Sequence, residues 1–160
     1  MSIAIYPGSF DPVTLGHLNI IKRASHIFEK VYVCVMVNSG KHPTLSHEKR
    51  LEYLKLCTAR FPNVQVDSSD KLLVEYAKDV GAGVIVKGMR AVSDFDWEFQ
   101  MALANKRLAP DIDTMFLMAS QKYMYLSSTI VKEMARYGVD LTDFIPREII
   151  DDFIKQIRRQ

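Results

Sequence analysis

Hydrophobic positions along the chain follow two spacings, one typical of buried strands and one typical of amphipathic helices. Residues 31–37 (VYVCVMV) form an uninterrupted apolar run, as expected of a strand covered on both faces. One helix face is predicted by apolar residues at helical spacing: Leu18, Ile21, Ala24, Ile27 and Phe28. The same pattern over the whole chain predicts strands at residues 2–6, 31–37, 64–66, 84–87 and 113–118, and helices at residues 14–28, 46–60, 71–80, 94–108, 127–137 and from 146 onward. Three residues are expected to start helices: Thr14 and Ser46 as caps, and Pro146 at the first helical position.

Strands and helices alternate along the chain, and this order predicts the fold class. Alternation implies right-handed crossovers and a parallel sheet covered on both faces. We expect an α/β fold: a Rossmann-like, doubly wound, five-stranded parallel sheet in the order 3-2-1-4-5 with C-terminal helices, in one domain spanning residues 1–160. In that order strands 1 and 4 are neighbours, and ligands bind beyond the carboxyl ends of strands at such a switch point. The segments to examine are therefore residues 6–13 and 88–92.

Composition and charge narrow the class of protein without changing this picture. The chain has 160 residues, 48% of them hydrophobic, and a net charge of +2, which argues weakly against nucleic acid as the main partner. Cys34 falls in the apolar run at residues 31–37 and Cys57 in a predicted amphipathic helix, and both are expected to be buried thiols. No apolar run approaches the ~20 residues of a membrane span, and no signal peptide is visible. We therefore expect a cytoplasmic protein with no membrane partner.

The segment after the first strand carries the candidate chemistry. The sequence contains neither G-x-x-x-x-G-K-[ST] nor a G-x-G-x-x-G after strand 1, so the common phosphate and dinucleotide loops are absent. Residues 8–12 (GSFDP) and 14–17 (TLGH) stand there instead. Gly8 lets backbone approach a ligand closely, and His17 falls in the first helical turn, where unpaired N–H groups and the helix dipole attract anions. A lone histidine there is more often a surface or capping residue, but the two adjoining motifs favour function.

Residues 14–17 resemble the [HT]-x-G-H motif of the nucleotidylyltransferase superfamily. Residues 87–98 (KGMRAVSDFDWE), 125–129 (YLSST) and 138–146 resemble the bacterial phosphopantetheine adenylyltransferase family, and the resemblance covers nearly the whole chain. That family transfers the adenylyl group of ATP to 4′-phosphopantetheine, giving 3′-dephospho-CoA and pyrophosphate, in the synthesis of coenzyme A. The resemblance implies in-line attack by the acceptor phosphate, with catalysis by positioning and by charge neutralisation.

The resemblance also implies roles for individual residues. His17 would stabilise the transition state at the α-phosphate, Lys41 would contact the acceptor phosphate and orient both reactants, and Arg90 would bind the phosphates. Acceptor contacts are expected at Ser9, Lys41, Leu73 and Lys87. ATP contacts are expected at a larger set of positions: Ser9, Phe10, His17, Gly88, Met89, Arg90, Glu98, Tyr123, Met124, Tyr125, Leu126, Ser127, Ser128 and Thr129.

Three residues depart from the family pattern. Lys87 stands where the family often has arginine, which keeps the charge but loses the two-pronged hydrogen-bonding fork. Thr129 replaces a third serine, and Trp97 replaces a typical tyrosine. These changes leave the expected charge of the site intact and alter its detailed contacts.

The family's cofactor and partners are implied in the same way. We expect Mg²⁺ carried on the ATP phosphates and on water, because no Asp/Glu group in the sequence suggests a dedicated metal cage. The resemblance further implies a homohexamer and inhibition by coenzyme A.

Two rival functions stay open at this point. One is a nucleotidylyltransferase of the same fold acting on nicotinate mononucleotide or on a sugar or polyol phosphate, which would share residues 14–17 but not residues 87–98. The other is a nucleotide-sensing or assembly module without catalysis. The joint presence of His17, Lys41, Lys87, Arg90 and Ser128 argues against the second.

Overall fold

The computed structural model describes residues 2–37, 40 and 42–159 of the chain. Lys41 therefore lies outside the described residues. No helix among the described residues is long and apolar enough to cross a lipid bilayer. The strands are β1 (Ile3–Gly8), β2 (Lys30–Met36), β3 (Val64–Ser69), β4 (Val84–Met89) and β5 (Asp113–Met118), and the helices are α1 (Leu15–Ile27), α2 (His47–Thr58), α3 (Leu73–Asp79), α4 (Val92–Leu108), α5 (Ser128–Arg136) and α6 (Arg147–Arg158).

The five strands form one parallel sheet in the order β3-β2-β1-β4-β5, so the predicted doubly wound topology is confirmed. The chain first winds outward from β1 to β3 and then crosses back to β4 on the other side of β1. Pairing between β1 and β4 is confined to Ala4 with Val84 and Ile5 with Ile85. Beyond those pairs the two strands separate, which leaves a crevice at their carboxyl ends.

The first strand runs two residues further than predicted, through Pro7 and Gly8. Pro7 pairs with Cys34 and Gly8 with Val35 on β2. Proline usually ends a strand because it has no N–H for the ladder. Here the ladder between β1 and β4 has already stopped at Ile5, and Pro7, two residues on, directs its nitrogen to that same unpaired side. The strand therefore loses no ladder hydrogen bond at the proline.

The fourth strand is also longer than predicted and includes two expected ligand residues. The predicted strand ends at Lys87, but pairing with β5 continues through Gly88 to Met89, which lies beside Met118. A Cβ on Gly88 would stand 3.1 Å from Cγ1 of Ile20, because α1 packs directly against this strand. The glycine is thus part of the sheet, and its missing side chain admits the helix.

Side-chain caps fix where the helices begin. Thr14 caps α1, and Ser46 and Ser127 cap α2 and α5 through their side-chain oxygens. The predicted caps at Thr14 and Ser46 are confirmed. Pro146 was expected at the first helical position of α6, but it occupies the N-cap, so the helix begins one residue later than predicted, at Arg147. A short 3₁₀ helix, Gln121–Tyr123, precedes α5 and was not predicted.

The sheet is covered on both faces, as a doubly wound fold requires. Alternate strand residues face opposite sides: Ala4 and Tyr6 pack in the larger apolar cluster with α1, α2, α5 and α6, whereas Ile5 and Cys34 pack in a smaller one with α3. Both cysteines are buried as predicted, and burial raises the pKa of each thiol to about 12. Ile27 is 51% exposed and does not belong to the buried face of α1 as predicted, whereas Phe28, at the C-cap of the helix, is buried.

Candidate functional site

A cavity of about 260 Å³ lies at the carboxyl ends of β1 and β4, where the sheet order reverses. We call it the central cavity. Its walls come from the β1–α1 loop, the end of β4, the start of α4 and the segment before α5. It brings together many of the residues predicted from sequence: His17, Lys87, Gly88, Arg90, Glu98, Tyr123, Leu126, Ser127 and Ser128.

The ring of His17 is held by a reciprocal cap at the start of α1. The backbone N–H of Thr14 donates to Nδ1 of His17 at 3.0 Å, and the backbone N–H of His17 donates to Oγ1 of Thr14 at 3.2 Å. Because a backbone N–H is always a donor, Nδ1 must act as an acceptor. The proton of the neutral imidazole is therefore on Nε2, which is left to donate to a ligand.

The surroundings of His17 keep its imidazole neutral. Burial, reinforced by the positive charge of Arg90, lowers the pKa of His17 to about 4. The ring of Phe10 packs edge-on against it at 5.0 Å between centroids, and Tyr6 packs on Phe10 at 5.5 Å. Burial also raises the pKa of Tyr6 far above its usual value, so the phenol keeps its proton. His17 is thus a fixed, uncharged hydrogen-bond donor at neutral pH.

Arg90 ties three parts of the site together. Its guanidinium donates to both carboxylate oxygens of Asp94, from Nε at 3.1 Å and from Nη2 at 3.3 Å. Nη1 donates to the backbone carbonyl of Leu126 at 2.7 Å. These contacts join the end of β4 to the first turn of α4 and to the segment before α5. A guanidinium has five N–H groups, so two are left for a ligand in the cavity.

Lys87 and Glu98 form an ion pair on the wall of the central cavity. Nζ of Lys87 lies 3.2 Å from Oε2 of Glu98, and their side chains are 25% and 22% exposed. The lysine that replaces the frequent arginine therefore keeps a cation in the cavity, already opposite a carboxylate. An anionic ligand would compete with Glu98 for that ammonium group.

The start of α5 presents backbone N–H groups to the cavity. The side chain of Ser127 accepts from the N–H of Ile130 at 3.1 Å, and Oγ of Ser128 donates to the carbonyl of Pro12 at 2.8 Å. The N–H groups of the first helical turn have no acceptor within the helix. With Ile130 capped, those of Ser128 and Thr129 are left to meet an anion.

A second cavity, of about 460 Å³, adjoins the central one at Ser128. We call it the Arg50 cavity, because the buried Arg50 forms part of its wall. Two residues predicted from sequence lie here rather than in the central cavity. Ser9 accepts a hydrogen bond through its carbonyl from Nη1 of Arg50 at 3.0 Å, and Thr129 lies on the opposite wall.

Four predicted nucleotide-binding residues have side chains that line neither cavity. The side chains of Phe10 and Met89 are only 2% and 4% exposed, so direct contact with a ligand is left to their backbone atoms. Met124 and Tyr125 are about half exposed, at 48% and 49%. The hydroxyl of Tyr125 donates to the carbonyl of Asp143 at 3.3 Å, which directs it along the surface.

Two predicted acceptor-binding residues are not placed in a cavity. Leu73 is the first residue of α3 and packs against the smaller apolar cluster, outside both cavities. Lys41 lies outside the described residues. Both assignments stay predictions.

Sequence reasoning missed four charged residues at these cavities. Asp94 lines the central cavity, and Asp11, Arg50 and Lys132 line the Arg50 cavity. Asp11 lies within the quoted motif at residues 8–12, but no role was drawn for it.

Arg50 had a usable signal in the helical spacing of α2. It stands three, four and seven residues before Tyr53, Leu54 and Cys57, which are all buried. A cation at an apolar-face position is rarely buried without a partner or a ligand. That spacing could have marked the residue.

The chain is similar to curated proteins over almost its whole length. A family model described as cytidylyltransferase-like matches residues 5–134. A phosphopantetheine adenylyltransferase from Caldanaerobacter subterraneus subsp. tengcongensis is 52% identical over 159 residues, which is 99% of each chain. Another with that name, from Clostridium tetani, is 49% identical over 156 residues, covering 98% of each chain.

The chain belongs to the phosphopantetheine adenylyltransferase family. The family predicted from residues 87–98, 125–129 and 138–146 is thereby confirmed.

Solved structures add evidence on the fold alone. A candidate nicotinate-nucleotide adenylyltransferase from Vibrio parahaemolyticus superposes with a TM-score of 0.77 over 100% of this chain and 97% of its own, at 19% identity. The nicotinic acid mononucleotide adenylyltransferase of Plasmodium falciparum gives a TM-score of 0.70 over 96% and 95%, at 16% identity. This chain thus shares its fold with these two structures.

Proposed function

We propose that this chain transfers the adenylyl group of ATP to 4′-phosphopantetheine, giving 3′-dephospho-CoA and pyrophosphate. The observation that carries the proposal is identity of about half of all positions, over nearly the full length, with curated phosphopantetheine adenylyltransferases. The central cavity supports it independently, because a neutral imidazole donor, two cations and a helix start surround one space at the switch point of the sheet.

The reaction needs positioning more than proton transfer. An oxygen of the acceptor phosphate forms a bond to the α-phosphorus, and the bond from that phosphorus to the oxygen bridging to the β-phosphate breaks. The electron pair of that bond leaves with pyrophosphate. Since the acceptor phosphate is already an anion, no general base has to remove a proton before attack.

His17 is suited to stabilise charge on the α-phosphate. Its Nε2 carries a proton, its ring is fixed by Thr14, and its pKa of about 4 keeps it neutral across the physiological range. A fixed donor of this kind costs no reorganisation when negative charge builds up on a phosphoryl oxygen. Its contribution grows from the ground state to the transition state, which is the condition for catalysis.

The cations of the central cavity are suited to hold the reactants. Lys87 and Arg90 are each paired with a carboxylate, Glu98 and Asp94 respectively, and those carboxylates hold the cationic groups in place before a ligand arrives. We assign Lys87 to the acceptor phosphate and Arg90 to the nucleotide. Leu73 and Lys41 stay assigned to the acceptor by the family resemblance alone.

We infer that Mg²⁺ arrives with ATP. Among the described residues no group of three or more His, Cys, Asp and Glu side chains is placed to hold a metal ion. Mg²⁺ commonly keeps several waters and binds through substrate phosphates with one or two carboxylates. Asp94 and Glu98 are the carboxylates of the central cavity available for water-mediated contacts. The ion would supply further charge neutralisation of the triphosphate.

We also propose a cytoplasmic homohexamer that coenzyme A inhibits, following the family resemblance. Supporting an assembly, α4 and β5 expose a group of large apolar side chains that a soluble monomer rarely leaves uncovered: Phe95, Trp97, Phe99, Met101, Leu103, Leu108, Met115 and Met118. Light scattering on the purified chain measures the mass directly, and a monomer at micromolar concentration would contradict the hexamer.

An acceptor panel tests the proposed reaction. Pyrophosphate release from ATP is measured with 4′-phosphopantetheine, nicotinate mononucleotide and a sugar phosphate as separate acceptors. We expect release with 4′-phosphopantetheine only, with 3′-dephospho-CoA identified by mass spectrometry. Release with nicotinate mononucleotide alone would contradict the proposed acceptor and favour the rival function, adenylyl transfer to nicotinate mononucleotide.

A further inference from the structure

Asp11, in the loop between β1 and α1, is a buried carboxylate that holds a segment distant in sequence. It is 6% exposed. Its Oδ1 accepts from the backbone N–H of Leu45 at 2.8 Å, and its Oδ2 accepts from the backbone N–H of Thr44 at 2.9 Å. Hydrogen bonds to a charged acceptor are roughly twice as strong as neutral ones. The two bonds therefore fix the residues just before α2 to the β1–α1 loop.

A third donor to the same carboxylate comes from α5. Nζ of Lys132 lies 3.1 Å from Oδ2 of Asp11, and the two side chains are 20% and 8% exposed. A buried carboxylate is costly unless it is paired and hydrogen-bonded, and here donors from two parts of the chain meet that requirement. Both oxygens of Asp11 are thus directed at protein groups, so Asp11 links segments rather than contacting a ligand.

A second link joins the same two parts of the molecule in the opposite direction. Nη1 of the buried Arg50, on α2, donates to the backbone carbonyl of Ser9 at 3.0 Å. The loop therefore holds the residues that lead into α2 through Asp11, and α2 holds the loop through Ser9. Leu45 is 2% exposed and packs in the larger apolar cluster, which anchors its side chain as well.

The linked segments both carry residues of the site. His42 and Pro43 line the Arg50 cavity together with Ser9, a predicted acceptor contact. Lys41, which the resemblance also assigns to the acceptor, precedes His42 in the sequence. On the other side of Asp11, the β1–α1 loop leads into the helix that carries His17. The spacing between the acceptor side of the site and His17 therefore depends on the link.

We propose that Asp11 is a positioning residue for the acceptor: it fixes residues 42–45 against the β1–α1 loop, and so sets their distance from His17. The inference rests on the proposed adenylyl transfer. Asp11 acts through backbone hydrogen bonds and takes no part in the bond changes at phosphorus. A displacement of about 1 Å between reacting groups can lower a rate by roughly 100-fold, so a link of this kind affects turnover from outside the reacting atoms.

Hydrogen exchange tests the link without any turnover. Asp11→Ala removes both acceptor oxygens, and peptides that span Thr44 and Leu45 should exchange their amide protons at least tenfold faster by mass spectrometry. Lys132→Gln removes the ion pair but keeps the carboxylate, and should stay within threefold of the unmodified chain. Asp140→Ala is the matched control, because Asp140 is an exposed carboxylate that accepts from the N–H of Thr142 at 2.9 Å and lines neither cavity. It should leave exchange at residues 44 and 45 unchanged.

Steady-state kinetics separate positioning from a general loss of stability. For folded Asp11→Ala, we expect the KM for 4′-phosphopantetheine to rise and kcat to fall by at least tenfold each, with the KM for ATP within threefold. Asp11→Asn keeps one acceptor oxygen and should lie between Asp11→Ala and the unmodified chain. If Asp11→Ala fails to fold, the same measurements on Asp11→Asn decide the question.

Three results would overturn the proposal. They are unchanged exchange at Thr44 and Leu45 in a folded Asp11 variant, an equal rise of both KM values, and effects of Lys132→Gln as large as those of Asp11→Ala, which would assign the role to the ion pair with α5. Absence of product from the unmodified chain, with exchange still dependent on Asp11, would instead contradict the proposed reaction while supporting the link.

Discussion

At the scale of single residues, the bonds that start a helix also set the chemistry of the site. The cap between Thr14 and His17 satisfies two backbone N–H groups of α1. The same contact occupies Nδ1 of His17 and thereby leaves the proton on Nε2. Burial beside Phe10, with the charge of Arg90 nearby, then keeps the ring uncharged. Helix capping and the proposed ligand contact of His17 therefore depend on one pair of side chains.

Replacing Thr14 by valine should impair both stability and turnover. The substitution preserves the shape of a buried side chain but removes the oxygen that accepts from the backbone N–H of His17. We expect the free energy of unfolding in urea to fall by about 1 kcal/mol. Turnover should fall as well, because valine also removes the 3.2 Å contact between Oγ1 of Thr14 and Nδ1 of the imidazole. Thr14→Ser keeps the hydroxyl and should lie close to the unmodified chain, and equal behaviour of the valine and serine variants would contradict the assigned cap.

Replacing Lys87 by glutamine should weaken acceptor binding. It removes the cation of the ion pair and leaves Glu98 as an unpaired, half-buried carboxylate in the central cavity. Hydrogen bonds to charged groups contribute about 1.5–3 kcal/mol, so the KM for 4′-phosphopantetheine should rise roughly tenfold or more. The KM for ATP should change much less, and Lys87→Arg should retain acceptor binding. A rise confined to the KM for ATP would contradict this assignment and indicate that Lys87 binds the nucleotide.

The location of individual residues at the cavities was predictable where a motif names them and not where packing decides. His17, Arg90 and Ser128 fall in recognisable motifs, and the structure places all three at the central cavity. Arg50 belongs to no motif and was missed, because its burial depends on how α2 packs against the β1–α1 loop. The sequence shows that Arg50 is charged, but it does not show whether the side chain is buried or exposed to water.

At the scale of elements, existence and order were predictable from hydrophobic spacing, but strand ends were not. The alternation of strands with helices led to the correct sheet order. The ends of β1 and β4 were predicted at Tyr6 and Lys87, immediately before Pro7 and Gly88, and each strand runs two residues further. Whether such a residue ends a strand depends on its neighbour in the sheet: β4 has already separated beside Pro7, whereas β5 still pairs beside Gly88. Local sequence does not contain that information.

Gly88 provides a test of how closely α1 packs on β4. A methyl group there would come 3.1 Å from Cγ1 of Ile20 at the floor of the central cavity. We expect Gly88→Ala to lower the free energy of unfolding by about 1–3 kcal/mol and to reduce ATP binding. Gly83→Ala, just before the same strand, meets no atom within 4 Å and is the matched control. Equal stability of the two variants in urea unfolding would contradict the close packing described for Gly88.

At the scale of the whole molecule, the fold serves to gather distant segments around one space. His17, Arg90 and Ser128 are separated by 73 and 38 positions in sequence, yet all three line the central cavity. The gathering follows from the crossover between β3 and β4, which sets β4 next to β1 and leaves the carboxyl ends of these two strands unpaired with each other. The same arrangement buries His17 and lowers its pKa, which links the stability of the molecule to pH.

Stability should fall in mild acid because His17 resists protonation. An unfolded histidine titrates near pH 6.5, whereas His17 in the folded chain has a pKa of about 4. The unfolded state therefore binds an extra proton as pH falls from about 6.5 toward 4, and folding loses stability over that window. Between pH 7 and pH 5 the loss due to this group is about 2 kcal/mol. The contribution of His17 is isolated by comparing urea unfolding of the unmodified chain and of His17→Asn, because all other groups titrate in both. If the free energy of unfolding changed equally with pH in the two proteins, a neutral His17 would be contradicted.

The turnover of His17→Ala tests most directly the claim that a fixed, neutral imidazole stabilises the transferring phosphoryl group. Removing one fixed donor to developing charge typically lowers kcat by roughly 100-fold or more. We predict a fall of that order in pyrophosphate release with ATP and 4′-phosphopantetheine, with the KM for ATP changed by less than about threefold. A variant that kept the unmodified kcat, or lost only affinity for ATP, would contradict the account.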